Sequence, residues 1–281
     1  MAARNIRDFL DGKRERLLWL EYDAYARRVF ANDAADWLTQ STRFANTMKQ
    51  ALKAVRTEVV TVDIALAGIA VWPETRPADT LTSAQAALTG AVSRRYTAEC
   101  VDALQHALGA EVDLLLRFPS PRDLLAQAGS TEEPEFDALD DLSATVVSTL
   151  REFSSKSITG IVMTRAAAAP LSADESDAYA PIFSAARHYG WVTAAAFNQI
   201  LFAMDAPSLD GVDMLLAAEL PLARVRALRG ATRGIGGGLT RNWWLDASAS
   251  ITSAAGDLLF GFIPDDVSPE AVLSKCAALA R

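Results

Sequence analysis

Residues able to do chemistry stand at the ends of apolar runs in this chain and are almost absent inside them. In chain order they are Glu21, Tyr22 and Asp23; Asp63; Arg117; Thr164 and Arg165; Asn198; Glu219; and Arg241 with Asn242. The planar fork of arginine binds carboxylates and phosphates bidentately. Arg117, Arg165 and Arg241, from separate runs, therefore predict a pocket for an anionic small molecule, with Tyr22, Thr164 and Asn242 as further substrate-binding groups. Arg117 sits between an apolar run and Pro119, and it also reads as a solvated or ion-paired strand end. Asp63 closes the apolar stretch VVTVD, where a carboxylate must find donors or rise in pKa. That suits a general acid or an anchor for a substrate amine, and equally a cap on the following turn. Glu219 follows the same logic, as a second catalytic carboxylate or as the neutralising partner of an arginine.

These residues need elements that bring them together. Eight short apolar runs alternate with amphipathic stretches: RLLWLEY (16–22), EVVTVDI (58–64), EVDLLLRF (111–118), ITGIVMTR (158–165), WVTAAAF (191–197), GVDMLLAAEL (211–220), RGIGGGL (233–239) and DLLFGFI (257–263). Their apolar residues are consecutive rather than cleanly alternating, as expected of strands covered on both faces. Eight such units in 281 residues predict an α/β fold, a (β/α)8 TIM barrel forming a single domain over 1–281. In that architecture the C-terminal strand ends converge on one mouth, which is where the charged residues lie. Segments 72–83 and 129–136, rich in Pro, Thr and acidic residues, are expected at the same face as lids or surface loops. A doubly wound open sheet would carry a glycine-rich loop after its first strand, and LEYDAYARR has no glycine.

Composition removes several classes of function. Thirty-five acidic against 27 basic residues give a formal charge of −8, with no basic block, which argues against nucleic acid as a partner. No apolar run approaches the ~18 residues of a membrane span, and no secretory signal is apparent, so a cytoplasmic protein is expected. Cys100 and Cys276 lie far apart in helix-like stretches, which fits a reducing compartment. With no cysteine or histidine near a strand end, a thiolate or imidazole zinc site is hard to build, and a hard-metal carboxylate site lacks a clustered set of acids; no metal and no other cofactor is expected. His106 and His188 read as helix C-terminal residues at the opposite end. The glycines of RGIGGGL suit close backbone approach better than a phosphate loop, and the indoles of RNWW suit packing better than a ligand wall.

The laid-out strand ends resemble the uroporphyrinogen decarboxylase superfamily of (β/α)8 barrels, from about Trp37 to the C-terminus. VVTVDIALAGIAV is similar to the second strand of that family with its aspartate, which falls on Asp63. LLLRFPSPRDLLAQAG resembles the third strand and its exit, SITGIVMTRAAAAPLSADESDAYAPIF the fourth, and FGFIPDDVSPEAV the last strand and final helix. The chain departs from the decarboxylases in two places. Arg27 and Arg28 stand nearest to where an arginine-rich segment grips substrate carboxylates, and Phe260 stands where the last strand carries a histidine. The resemblance implies a lyase, most directly a decarboxylase, acting on a carboxylated small molecule, with Asp63 as the transferable catalytic position. Its methyltransferase branch implies a corrinoid- or folate-linked methyl transfer without zinc, with a separate corrinoid protein as partner. A third reading is a non-catalytic binding or assembly barrel, whose strand-end charges would pair with one another. A homodimer is the default assembly for a soluble enzyme.

Overall fold

Each apolar run forms a strand, and the alternation of in-facing and out-facing residues along it decides what the strand contributes. The computed structural model describes residues 4–71, 79–109, 111–166, 170–198, 209–229 and 234–279. The strands are β1 (Leu17–Glu21), β2 (Val59–Asp63), β3 (Asp113–Pro119), β4 (Gly160–Arg165), β5 (Val192–Phe197), β6 (Met214–Ala217), β7 (Ile235–Gly238) and β8 (Leu258–Phe262). All seven ladders are parallel, in the order β1-β8-β7-β6-β5-β4-β3-β2. With helices in every connection between successive strands except that from β5 to β6, most of which lies outside the described residues, this is a (β/α)8 barrel.

The seam between β1 and β2 is closed mainly by side chains. Glu58 donates its backbone N–H to the Leu18 carbonyl at 3.0 Å. The Leu18 N–H donates to Glu58 Oε2 at 2.8 Å, and the Leu20 N–H to Thr57 Oγ1 at 2.9 Å. Side-chain oxygens thus satisfy backbone donors that a regular ladder would have paired.

Two apolar layers result. Leu17, Trp19, Val59, Leu115, Val162, Ala194, Leu216 and Phe260 fill the barrel interior. Their neighbours, such as Leu20, Val60, Leu116 and Met163, pack outward against the helices. The floor is closed by α1 (Asn5–Leu10), whose Ile6 and Phe9 belong to the interior layer. Asp113, at the start of β3, accepts the Ile6 N–H at 2.7 Å and the Thr159 hydroxyl at 3.0 Å. Gly236 in β7 is a packing glycine. A Cβ there would stand 2.5 Å from Leu258 Cγ and 2.9 Å from Leu216 Cδ2, so the missing side chain lets two leucines fill the interior.

Of the expected lids, 72–78 lie outside the described residues, and Thr80–Thr89 is a helix begun by Asp79, whose carboxylate accepts the Thr82 N–H. The 129–135 segment joins α7 (Pro121–Gln127) to α8 (Phe136–Glu152) at the mouth end; the intervening helices, in chain order, are α2 (Asp23–Ala31), α3 (Ser41–Val55), α4 (Leu66–Ala70), α5 (Thr80–Thr89) and α6 (Ala91–Leu108). No helix among the described residues is long and apolar enough to cross a membrane.

Candidate functional site at the barrel mouth

Interior-facing alternation carries Glu21 at the end of β1, Asp63 at the end of β2 and Arg117 near the end of β3 to one place. Asp63 and Arg117 are direct partners in the β2–β3 register. The guanidinium of Arg117 is engaged at all three of its nitrogens. Its Nη1 donates to Glu21 Oε2 at 2.8 Å, its Nη2 to Asp23 Oδ2 at 2.6 Å and its Nε to Asp63 Oδ2 at 3.2 Å. The Arg117 side chain is 11% exposed, against 4% for Glu21, 21% for Asp23 and 12% for Asp63. Three carboxylates around one guanidinium leave the group with an excess of negative charge in a poorly hydrated place.

Further donors fix the carboxylates. Glu21 also accepts from Trp19 Nε1 at 2.8 Å and from the Thr61 hydroxyl at 2.7 Å. Trp19 is itself held edge-on to Phe260 at 5.8 Å, and Phe260 to Phe262 at 5.5 Å. Asp63 Oδ1 accepts the N–H groups of Ala65 and Leu66, at 2.9 and 3.0 Å, and so caps the turn leading into α4.

Burial pushes the Glu21 carboxyl above the ordinary range, although Arg117 and the Thr61 and Trp19 donors oppose the rise. Asp63 behaves alike, burial outweighing Arg117 and the Ala65 N–H. At Asp23 burial also raises, but the charge and hydrogen bond of Arg117 win, and its carboxyl lies below the ordinary range. The three carboxylates in turn outweigh the burial of Arg117 and hold its pKa well above that of a free arginine.

The other expected site residues do not join this cluster. Thr164 shares the interior face of β4 with Val162, and its hydroxyl donates to the Phe118 carbonyl at 3.3 Å. Arg165, one residue on, necessarily faces outward. It is 2% exposed in the helix layer and donates from Nε and Nη2 to the two oxygens of Glu175, each at 3.0 Å. Tyr22 is likewise on the outer face between Glu21 and Asp23, and its hydroxyl donates to the Met48 carbonyl of α3 at 3.3 Å. Arg241 is at the surface, paired with Asp266, and Asn242 beside it is exposed. Glu219 is exposed and accepts the Arg241 N–H at 3.1 and 3.3 Å, capping the helix Arg241–Leu245. The three arginines therefore do not converge, and each already holds a carboxylate. Trp243 and Trp244 are buried and stacked edge to face at 4.8 Å, with Lys275 Nζ 4.7 Å from the Trp243 ring centroid, so the RNWW indoles pack.

Glu21 and Asp23 are the members that sequence reasoning placed among the strand ends without selecting. The available signal was parity: Trp19, Glu21 and Asp23 share one face, and Tyr22 falls on the other.

Fold and site together define a (β/α)8 barrel whose mouth carries an acidic ionic cluster on β1 to β3. Two solved structures of the homocysteine methyltransferase MmuM from Escherichia coli share this architecture over almost the full length of both chains. The apo form matches with a TM-score of 0.55 at 15% identity, covering 98% of this chain and 99% of that one. The metallated form matches with a TM-score of 0.56 at 16% identity, covering 97% and 99%. At these identities the likeness is one of fold alone. No family model matches the chain, and no curated protein matches it by sequence.

The soft and acidic donors among the described residues are not arranged as a metal site. Cys100 and Cys276 are buried in the helix layer, and burial pushes both thiols up to about 12. No group of three or more His, Cys, Asp or Glu among the described residues could hold a metal ion.

Proposed function

We propose that the barrel is a methyl-transfer enzyme that takes a small amino compound at its mouth, docking the ammonium group on the Glu21, Asp23 and Asp63 carboxylates. The observation that carries this reading is the excess negative charge of the cluster around Arg117. A cation brought to that place offsets part of this excess, whereas a substrate carboxylate would face three like charges. Asp23, the most exposed of the three, is the first point of contact, and Arg117 is a positioning residue that spaces the carboxylates. The fold likeness to homocysteine methyltransferases favours methyl transfer over decarboxylation. Decarboxylation also loses support because Arg117, Arg165 and Arg241, the expected carboxylate holders, are each paired within the chain.

The test is a methyl-transfer assay with homocysteine as acceptor, run across a panel of methyl donors with and without a corrinoid carrier protein. Mass spectrometry would detect the methylated product. Product formed by the parent and reduced at least tenfold in Asp23→Asn supports the reading; turnover of a dicarboxylate by CO2 release, with no methylated product, would overturn it.

A further inference from the structure

Apart from the Arg117 cluster, one arginine is held from its buried side and holds an exposed carboxylate on its front. Arg122, the second residue of α7, donates from Nη1 and Nη2 to the two oxygens of Glu133, both at 2.5 Å. This is the fork-to-fork geometry by which arginine holds free carboxylates and phosphates. From behind, Glu175 Oε2 stands 3.5 Å from Arg122 Nη1, and Glu175 is only 1% exposed. Glu175 is in turn fixed by Arg165, by the Ser172 N–H at 3.0 Å and by the Tyr179 hydroxyl at 3.1 Å. The arginine is therefore held in place from its buried side, while its front partner is two-thirds exposed.

Charge explains why the front position needs an anion. Arg165, Glu175, Arg122 and Glu133 alternate in sign and balance. Without Glu133 the remaining three carry one uncompensated positive charge, and two of them are almost out of water. The neighbouring groups do not supply the missing anion. Asp123 accepts the Ala166 N–H at 2.7 Å, and Tyr179 meets the Arg122 backbone N–H at 3.4 Å.

We propose that the Arg122 fork is a peripheral oxyanion site, with Glu133 standing in for the carboxylate or phosphate of a ligand that displaces it. Exchange of one oxyanion for another leaves the charge balance unchanged and returns an already exposed glutamate to water. Displacement also unfastens the 129–135 segment, which Glu133 ties to α7. An exposed ion pair is a weak competitor, so Glu133 should lower the apparent affinity for an added anion by about two- to fivefold.

The experiment is a titration of 15N-labelled protein at constant ionic strength, with malonate in one arm and inorganic phosphate in the other, reading the Gly129 and Ser130 amides. The parent, Glu133→Gln and the double variant Arg122→Gln/Glu133→Gln are compared, each checked for folding by circular dichroism. Saturable shifts in at least one arm, about two- to fivefold tighter in Glu133→Gln than in the parent and absent in the double variant, are expected. The arm that saturates identifies the oxyanion. No saturation in Glu133→Gln, equal affinity in Glu133→Gln and the parent, or the same titration in the double variant would overturn the proposal.

Discussion

Replacing Arg117 with methionine keeps an unbranched stem of about the length of the arginine's aliphatic part and removes the guanidinium with its charge. Its three hydrogen bonds, at 2.6, 2.8 and 3.2 Å, would each contribute about 1.5–3 kcal/mol taken singly. They do not add, because Asp23 regains water and Glu21 and Asp63 take up protons once the arginine is gone. The expected loss of stability near neutral pH is about 3–5 kcal/mol, the scale for removing one partner of a buried ion pair. The pH dependence identifies the cause. Without Arg117 all three carboxyls rise above their unfolded values, so the folded state binds more protons than the unfolded state. Stability then falls as pH rises from the unfolded value, about 4, through the raised folded values. The penalty relative to the parent should therefore shrink by about 1–2 kcal/mol on going from pH 7 to pH 5. Urea unfolding followed by circular dichroism at several pH values measures this. A penalty under about 1 kcal/mol, or one independent of pH, would refute the electrostatic account of the cluster.

The remaining predictions concern the scaffold. Gly236→Val places branched carbon where Leu258 and Leu216 already meet, and should cost about 1–3 kcal/mol in a thermal or chemical melt. Ser172→Ala removes the capping box at the start of the helix Ala173–His188 and loosens the Ser172–Glu175 bonds, with an expected loss of about 1–2 kcal/mol. Cys100 and Cys276, buried and with thiols raised to about 12, should react with a thiol reagent only on the timescale of unfolding; labelling within minutes in native buffer would contradict that placement.

The barrel was legible because each strand carries its own signature. Even RGIGGGL, with three adjacent glycines, yields β7 over Ile235–Gly238, where tertiary packing on Leu216 and Leu258 outweighs weak local propensity. The floor helix was not foreseen, although Ile6, Phe9 and Leu10 have helical spacing; six residues are too few for that pattern to stand out. The site was legible as a location and less so as a set of partners. Strand ends name residues at a mouth, but a step of one residue reverses the face, which separates Thr164 from Arg165 and Tyr22 from Glu21 and Asp23. Pairing is a further step removed from sequence. Arg117 meets Asp63 through strand register, Asp23 through the first turn of α2 and Arg165 meets Glu175 through a helix beginning eight residues later, and none of these distances is encoded in residue type.

The claim at the centre of this account is that the mouth recognises a positive charge. Isothermal titration of the parent with homocysteine and with its N-acetyl derivative, which has the same thiol and carboxylate but no ammonium, tests it most directly. Glu21→Gln and Asp23→Asn, which keep shape and remove one negative charge each, are titrated alongside. The account predicts that the parent binds the free amine at least about tenfold more tightly than the acetylated compound, and that either substitution narrows the difference, as expected for loss of a charge-assisted contact. Equal binding of the two compounds, or tighter binding of the acetylated one, would contradict it.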